Sequence, residues 1–478
     1  MTHFRDQLGG QRQVGVLMHV TSLPGSGPHG CFNQAAHDWI SLLARHQVGV
    51  WQVLPLAPPD STGSPYSSPS GFAISPQLLD PDQPLPEWTE SSRQSYRAWC
   101  QSQCFWLKDH CRFDALRKRF ENSPWWLWPK PLASRERAAL RELDLQEAAA
   151  MELESQRQWW LQQQWQQLRS HAKANGVKVL GDLPFYGAHD SADVWSRPGL
   201  FSLNPDGSLA QQSGVPPDYF AATGQLWSTP VYRWSRHRMQ GYRWWLQRLE
   251  RQLELFDLLR LDHFRAFAAF WSVPGSDATA EHGSWVDSPG LAILKRLQRR
   301  CGGSMPLVAE DLGVITPDVE ALRDGFSLPG MKVLQFAFDG NPNNAYLPHN
   351  FAGTDWVAYT GTHDNATAVG WWQEQSNQVK DQLQAILGHS VQAPGWDLLR
   401  LALSSTADLA VVPLQDLMSL DDSARFNRPG TSSGNWSWRL AGSLDQLEGH
   451  LQGLQNLAQV FGRGTAGGFG SGAELSSN

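Results

Sequence analysis

Eight short apolar runs, each rich in β-forming residues, recur along the chain. Near-continuous apolar runs of this length are typical of strands that are buried on both faces, as in a parallel sheet. The pattern therefore predicts eight parallel strands. They are expected at Val14–Val20, Val48–Leu54, Val177–Leu183, Phe256–Asp262, Pro306–Asp311, Val333–Phe338, Trp356–Thr360 and Ala407–Pro413.

Helical patterns lie between several of these runs. Ala36–His46 is one, and Gly290–Arg300 carries apolar residues at helical spacing. Asp318–Asp324 follows Thr316 and Pro317, which is typical of an N-cap with proline at the first helical position. Alternating strands and helices form βα units, and eight such units close into a barrel. The predicted fold class is therefore α/β, a (β/α)8 TIM barrel.

Two stretches of the chain are longer than one βα unit needs. Residues 83–175 predict an inserted helical subdomain, with one long helix from about Ser134 to Asn175 that ends at Gly176. Residues 196–250 are rich in Gly and Pro with little periodicity, so a loop insertion is expected there. Residues 1–461 are thus expected to form a single catalytic domain, and residues 462–478 a flexible Gly/Ser-rich tail.

Composition excludes several functional classes. The chain has 39 Lys and Arg against 46 Asp and Glu, and this net charge of −7 argues against a general nucleic-acid binder. The sequence contains no apolar stretch long enough to span a membrane. The odd count of five cysteines and the N-terminus without an apolar leader favour a reduced, cytoplasmic protein. A phosphate-binding loop motif is absent as well, so no cofactor is expected.

Four of the eight predicted strands end in a carboxylate. Active sites of TIM barrels lie at the C-terminal ends of the strands, so these groups are expected to meet in one pocket. The four are Asp182, Asp262, Glu310 and Asp364. The alternative is that carboxylates here cap the following helices, and this alternative is strongest for Asp311 and Asp190.

Asp262 is the most informative of these residues. It lies two positions after Arg260, so both side chains point to the same side of the strand, and the cation favours an ionised nucleophile. Glu310 on the next strand is the natural second carboxyl, since two acids in one site have pKa values that separate. Such a pair can cleave a glycosidic bond with retention, but it also fits aldolases, isomerases and metal-dependent hydrolases. A metal site is disfavoured because His189, His263 and His363 follow three different strands.

The motifs resemble those of the 4-α-glucanotransferases, also called amylomaltases or disproportionating enzymes, which are relatives of the α-amylases. The similarity runs from about Gly15 to Leu440, and its nine motifs occur in the family's order. They are GVLMHVTSLPG (15–25), WQVLPL (51–56), SPYSSPSGFAISP (64–76), GDLPFYGAHDSADVW (181–195), GVPPDYFAATGQLWSTPVY (214–232), RLDHFRAF (260–267), AEDLG (309–313), YTGTHDNAT (359–367) and NRPGTSSGNWSWRL (427–440).

The resemblance implies roles for particular residues. Asp262 resembles the nucleophile, Glu310 the general acid/base, and Asp364 the third carboxylate that stabilises the transition state. The residues implied to bind or support the substrate are Tyr66, Asp182, Trp227, Arg260, His363 and Asn435. No metal or cofactor is implied. For His19 and His263, a packing or backbone-bonding role stays open.

The resemblance also implies the reaction and the partners. The expected activity is retaining transfer of an α-1,4-glucan segment to another glucan or to glucose. An α-1,4-glucan hydrolase and a catalytically inactive glucan-binding protein remain as alternatives. Too little sequence follows the eighth run for the C-terminal β-sandwich of true α-amylases. The family pattern is altered at Val20, at Asp60–Gly63 and at Ser228-Thr229, which leaves acceptor preference open.

The 24 tryptophans fall into two sets. Trp227, and more loosely Trp51, belong to motifs near the expected cleft, where an indole can stack on glucose. The others considered lie in the predicted helical insertion, and most of them are expected to serve packing. They are Trp99, Trp106, Trp125, Trp126, Trp128, Trp159, Trp160 and Trp165.

Overall fold

The computed structural model describes residues 3–83, 87–217 and 222–464, which form two β-sheets with helices around them. The strands of this part are, in chain order, β1 (Gln13–Leu17), β2 (Val50–Gln52), β3 (Lys178–Leu183), β4 (Gln211–Val215), β5 (Gln225–Pro230), β6 (Leu258–Leu261), β7 (Ala269–Pro274), β8 (Ser284–Asp287), β9 (Leu307–Ala309), β10 (Gly330–Val333), β11 (Trp356–Tyr359) and β12 (Leu409–Pro413).

Eight of these strands form a parallel, nearly closed barrel. Their order is β10-β11-β12-β1-β2-β3-β6-β9, and all of the pairings are parallel. At the remaining seam the Ala309 amide of β9 donates to the Pro329 carbonyl at 2.8 Å, one residue before β10. The predicted (β/α)8 TIM barrel is confirmed.

Helices surround the barrel and fill the two long connections. The α-helices of the described residues are α1 (Phe4–Gln7), α2 (Gln34–Arg45), α3 (Glu90–Ser102), α4 (Leu107–Arg119), α5 (Lys130–Ala133), α6 (Arg137–Gln146), α7 (Ala148–Ala174), α8 (Ala192–Ser196), α9 (Trp234–Met239), α10 (Arg243–Leu255), α11 (Gly290–Arg300), α12 (Pro317–Asp324), α13 (Ala368–Glu374), α14 (Asn377–Leu387), α15 (Pro394–Ser404), α16 (Leu414–Leu417) and α17 (Glu448–Val460). Within the described residues, a helix long and apolar enough to cross a bilayer is not found.

Alternation along the strands separates the barrel interior from the layer under the helices. Leu180 of β3 and Leu258 of β6 point inward, into a small apolar cluster that fills the barrel. Two residues further along, at the mouth, the inward positions are taken by Asp182 and Arg260. The alternation along the strands therefore places the apolar barrel interior directly next to the charged groups at the mouth.

The sixth predicted strand is displaced. Val333–Phe338 was expected to be extended, but the strand is Gly330–Val333 and residues Leu334–Phe336 form a 3-10 turn. This prediction is wrong because pairing with β11 runs only from Gly330 to Val333. Leu334 is buried as part of a turn, so its apolar character does not mark a strand.

The long helix predicted from about Ser134 to Asn175 is in fact interrupted. Arg135 has a positive φ of 59° and separates α5 from α6, while Glu147 has φ −106° and ψ 17° and separates α6 from α7. The predicted end is confirmed, since Gly176 has φ 72° just after the last helical turn. The division of the chain into a barrel and a helical insertion stays a prediction.

The loop predicted for residues 196–250 is also wrong in its local structure. β4 and β5 lie within it, and they form a second, antiparallel sheet in the order β5-β4-β7-β8. β4 pairs with β7, which lies more than 50 residues later in the chain, so local periodicity could not show the pairing. Of the predicted tail, only residues up to Gly464 are described; the rest lies outside the described residues.

Most tryptophans in the region predicted as an insertion serve packing, as expected. Trp106, Trp125, Trp128, Trp159 and Trp165 are buried. Trp51 was expected nearer the cleft, and this is wrong. Its ring is fully buried, its Nε1 donates to the Met18 carbonyl at 2.7 Å, and it packs near Trp165 beneath the barrel wall.

Gly181 of β3 provides a test of how tightly helices pack on the barrel. A Cβ at this position would lie 2.2–2.5 Å from the ring of Phe256, which is closer than real atoms approach. We expect Gly181→Ala to lower the free energy of unfolding by about 1–3 kcal/mol because the core would be overpacked. Urea unfolding followed by circular dichroism measures the change.

The matched control is Gly449→Ala in α17, where an added Cβ has no heavy atom within 4 Å. This variant is expected to keep or slightly raise stability, since alanine is the better helix former. Equal stabilities of the two variants would contradict the packing described for β3.

Candidate active site

The charged side chains at the barrel mouth come from the carboxyl ends of neighbouring strands. Asp182 and Arg260 occupy inward positions of β3 and β6 and face each other in register. Asp262 follows β6 directly, and Glu310 follows β9 on the adjacent strand. Asp364 follows β11 on another side of the barrel. This placement brings the four carboxylates to the same end of the barrel, as the sequence predicts.

Arg260 joins two of the carboxylates. Its Nη1 lies 2.7 Å from Asp182 Oδ2 and 2.9 Å from Asp262 Oδ1. Burial lowers the pKa of Arg260, but Asp182 and Asp262 outweigh it and hold the pKa well above its usual value. A permanent cation therefore faces Asp262, whose side chain is 28% exposed and reachable from the mouth. The sequence-based inference that both side chains share one side of the strand is confirmed.

Tyr66 connects this ion pair to the opposite wall. Its hydroxyl donates to Asp182 Oδ2 at 2.8 Å, and its ring stacks on His363 with 5.1 Å between centroids and 9° between planes. Burial raises the pKa of Asp182 to about 7, although the neighbouring Arg260 lowers it in part. Burial lowers the pKa of His363, so its imidazole is held towards the neutral form.

Glu310 is held by backbone donors on both of its oxygens. The His263 amide donates to Oε2 at 2.6 Å, and the Leu312 amide donates to Oε1 at 2.9 Å. Burial raises the pKa of Glu310 to about 7, although Arg260 lowers it. Glu310 can therefore carry a proton near neutrality, while Asp262 lies in direct contact with the Arg260 cation.

Asp364 is held by groups that follow two different strands. Asn427 Nδ2 donates to Asp364 Oδ1 at 2.6 Å, and His363 Nε2 lies 3.3 Å from the same oxygen. Arg425 Nη2 donates to the Asp364 carbonyl at 2.7 Å. Asn427 and Arg425 were missed by sequence analysis. Asn427 opens the last motif, NRPG, and that was the only signal available for it.

Trp227 and Asn435 differ in their contacts: Trp227 packs against other rings, and Asn435 forms hydrogen bonds. The Trp227 ring packs against His263, with 4.9 Å between centroids and an angle of 87°, and lies near Tyr186. Asn435 is engaged within its own loop: its Nδ2 donates to the Thr431 carbonyl, and its Oδ1 accepts from the Arg428 amide. A substrate contact of Asn435 stays a prediction.

Three polar residues whose roles the sequence left open have hydrogen-bond or ion-pair partners in the structure. His19 Nδ1 accepts from the Leu54 amide at 3.2 Å, which is the backbone-bonding role held open for it. Asp311 pairs with Arg323 and accepts from a backbone amide, while Asp190 accepts from the Trp125 amide. The next helices begin at other caps, so the suggestion that Asp311 and Asp190 cap them is wrong.

A hollow of about 440 Å³ lies beside the ion pair. Tyr66, Asp182 and Tyr186 line it, together with the loop that follows β2. A second hollow of about 430 Å³ lies behind His363 and His19. Residues 3–83, 87–217 and 222–464 contain no group of three or more His, Cys, Asp or Glu side chains that could hold a metal ion.

Known proteins match the chain over nearly its full length. A family model described as 4-alpha-glucanotransferase matches residues 18–90 and 85–445. The chain is 39% identical over 498 residues to the 4-alpha-glucanotransferase of Synechocystis sp., covering 95% of this chain and 98% of that protein. It is 40% identical over 474 residues to the 4-alpha-glucanotransferase of Thermus thermophilus, covering 90% of this chain and 95% of that protein.

Solved structures agree with these matches. The amylomaltase from Streptococcus agalactiae in complex with acarbose superposes with a TM-score of 0.89 at 29% identity, covering 95% of this chain and 100% of that chain. The amylomaltase from Corynebacterium glutamicum shares the fold, with a TM-score of 0.72 over 95% of this chain and 76% of that chain, at 16% identity. The chain therefore belongs to the 4-alpha-glucanotransferase family.

Proposed function

We propose that this 4-alpha-glucanotransferase moves an α-1,4-glucan segment by a retaining double displacement, with Asp262 as nucleophile and Glu310 as general acid/base. One observation carries the assignment. Arg260 contacts Asp262 directly, whereas Glu310 is buried and has a raised pKa. A carboxylate in contact with a fixed cation, next to a buried carboxyl that can carry a proton, suits the two roles that retention needs.

In the first step Asp262 attacks the anomeric carbon of the donor glucan. The glycosidic bond breaks, and the Glu310 proton passes to the leaving oxygen, which becomes the new 4-hydroxyl of the released chain. The products are a glucosyl ester on Asp262 and an ionised Glu310. The amides of His263 and Leu312 stabilise that carboxylate because each donates to one of its oxygens.

In the second step an acceptor glucan or glucose takes the place of the released chain. Glu310 accepts the proton of the acceptor 4-hydroxyl, whose oxygen attacks the anomeric carbon and releases Asp262 as a carboxylate. The new bond has the α-1,4 configuration, since two inversions give net retention.

The remaining charged and polar groups hold the sugar and the developing charge. Asp364 is 42% exposed and its Oδ1 accepts from Asn427, which supports a role in binding hydroxyls of the reacting glucose. Arg260, Asp182 and Tyr66 form a connected network on the other side. Fixed groups of this kind stabilise a transition state because they need no reorganisation.

Transfer is favoured over the two alternatives, hydrolysis and inactivity. Hydrolysis would use the same two carboxylates, so the outcome depends on how well the acceptor side binds sugar and delays water. We assign Trp227 to that side because its motif resembles the acceptor loop of the family, and its indole next to His263 is suited to stacking on a glucose ring. An inactive binding protein would have no need for the arrangement of Asp262, Arg260 and Glu310.

The proposed partners are maltooligosaccharides and other α-1,4-glucans, with glucose as an acceptor. The relative from Streptococcus agalactiae was solved in complex with acarbose, which supports binding of a glucan-like ligand in this fold. We place the enzyme in the cytoplasm, and its five free cysteines support a reducing compartment.

The first test follows the products that the enzyme forms from maltotriose. The wild-type protein is expected to produce glucose and a ladder of longer maltooligosaccharides, as resolved by chromatography. Asp262→Asn should lower this activity by roughly 10³-fold or more, because the nucleophile is lost. Circular dichroism should show an unchanged fold.

Asp287→Asn is the matched control, since Asp287 is an exposed carboxylate on β8. It should retain the ladder. Shorter sugars alone from the wild-type protein would support the hydrolase, no products would support the binding protein, and full activity of Asp262→Asn would overturn the nucleophile.

The second test uses the pH dependence of the first step. Glu310 must be protonated to act as an acid, so the rate of donor cleavage should fall as the pH rises through its pKa of about 7. Glu310→Gln should lower cleavage of natural glucans by about 10²–10⁴-fold and remove this alkaline limb. Stopped-flow cleavage across pH measures both effects.

A donor with a nitrophenolate leaving group provides the control, because that group departs without a proton. Glu310→Gln should therefore cleave it with a much smaller defect. If the alkaline limb persists in Glu310→Gln, the titrating group is another one, with Asp182 as the first candidate because burial also raises its pKa to about 7.

A further inference from the structure

His263 lies between the general acid/base and the acceptor side of the mouth. It has φ 52° and ψ 51°, a left-handed conformation that is uncommon outside glycine. This conformation turns the chain sharply after Asp262, and the turn Phe264–Phe267 begins directly afterwards. The amide of His263 thereby reaches Glu310, while its ring packs against Trp227.

The ring of His263 belongs to an aromatic wall. Trp227 packs edge-on against it, and the Tyr186 ring lies 6.2 Å from it at an angle of 34°. Tyr186 in turn lies 5.9 Å from Trp227, so each of the three rings is close to the other two. Burial lowers the pKa of His263 to about 4, so the imidazole is neutral near pH 7.

Two polar atoms of this wall are buried and have no hydrogen-bond partner among the residues that the structure describes. They are His263 Nε2 and the Tyr186 hydroxyl. Tyr186 is only 7% exposed, and its ring also lines the hollow beside Tyr66 and Asp182. A buried polar group without a partner destabilises the fold, so two in one wall point to a ligand that satisfies them.

We propose that Tyr186 and His263 bind a hydroxyl group of the acceptor sugar, and that His263 thereby ties acceptor binding to Glu310. This inference rests on the proposed function. The sugar hydroxyl is both donor and acceptor, so it can bond to the Tyr186 hydroxyl and to Nε2 of a neutral imidazole together. The indole of Trp227 lies against the His263 ring, so an acceptor ring that stacks on this indole comes next to both groups.

The link to Glu310 is short. The same residue whose ring bonds the acceptor holds Glu310 Oε2 through its amide at 2.6 Å. An acceptor that fixes the His263 ring therefore also fixes the donor to Glu310, at the stage when Glu310 accepts the acceptor proton. Water makes no stacking contact with Trp227 and does not fix the His263 ring in this way, which favours transfer over hydrolysis.

Tyr186→Phe is the sharpest test because it removes a single oxygen that has no hydrogen-bond partner in the described part of the chain. Stability should be unchanged or slightly higher. The apparent KM for glucose as acceptor, measured with labelled glucose at fixed maltotriose, should rise roughly fivefold, as expected for the loss of one hydrogen bond. The rate of nitrophenolate release should stay the same, because that leaving group carries no sugar hydroxyl for Tyr186 to bind.

Tyr232→Phe is the matched control. The Tyr232 hydroxyl donates to the Phe185 carbonyl at 2.7 Å and accepts from Arg248, and its ring lies parallel to Tyr186. This variant should lose stability and leave the acceptor KM unchanged, the opposite pattern to Tyr186→Phe.

His263→Asn provides the second variant, because asparagine tolerates the left-handed conformation and keeps the amide for Glu310. It should raise the acceptor KM and increase the share of hydrolysis. An unchanged acceptor KM in both Tyr186→Phe and His263→Asn, or slower nitrophenolate release by Tyr186→Phe, would overturn the proposal. A wild-type enzyme that forms no ladder from maltotriose would instead refute the proposed function.

Discussion

The site depends on a buried cation at the barrel mouth. Arg260 is almost fully buried, and such a charge is stable only with paired carboxylates around it. Asp182 faces it because β3 and β6 pair in parallel with these two residues in register. Asp262 contacts it because the strand period returns that side chain to the same side two residues later. The nucleophile is therefore positioned by sheet geometry rather than by a loop.

The second carboxyl is positioned by different means. Glu310 follows a strand of three residues, and both of its oxygens are held by amides of turns rather than by side chains. One of these amides belongs to His263, the residue after the nucleophile. Its left-handed backbone directs the amide to Glu310. Rigid turns hold Glu310 with little freedom to rotate, which is what a group that must first donate and then accept a proton requires.

The helices before β3 support the site from a distance. Gln158 of α7 donates to the Ile74 carbonyl and accepts from the Ile74 amide, each at 2.9 Å, so its side chain pairs with the backbone as a neighbouring strand would. Gln164 accepts from the Asp80 amide in the same manner. The segment they hold follows Tyr66, so the long helix helps to fix the loop that reaches Asp182.

The sequence by itself determined the eight-stranded barrel and the carboxylates at its mouth, because both depend on local patterns: apolar runs, and charged residues where those runs end. It did not show the sheet of β4, β5, β7 and β8, the displacement of the sixth strand, or the burial of Trp51. Those depend on pairing and packing between distant segments, and no local period reports them. Only the tertiary structure brought Asn427 to Asp364 and left Tyr186 and His263 with unsatisfied polar atoms beside Trp227. Hydrogen bonds and burial at such places arise from residues far apart in the chain.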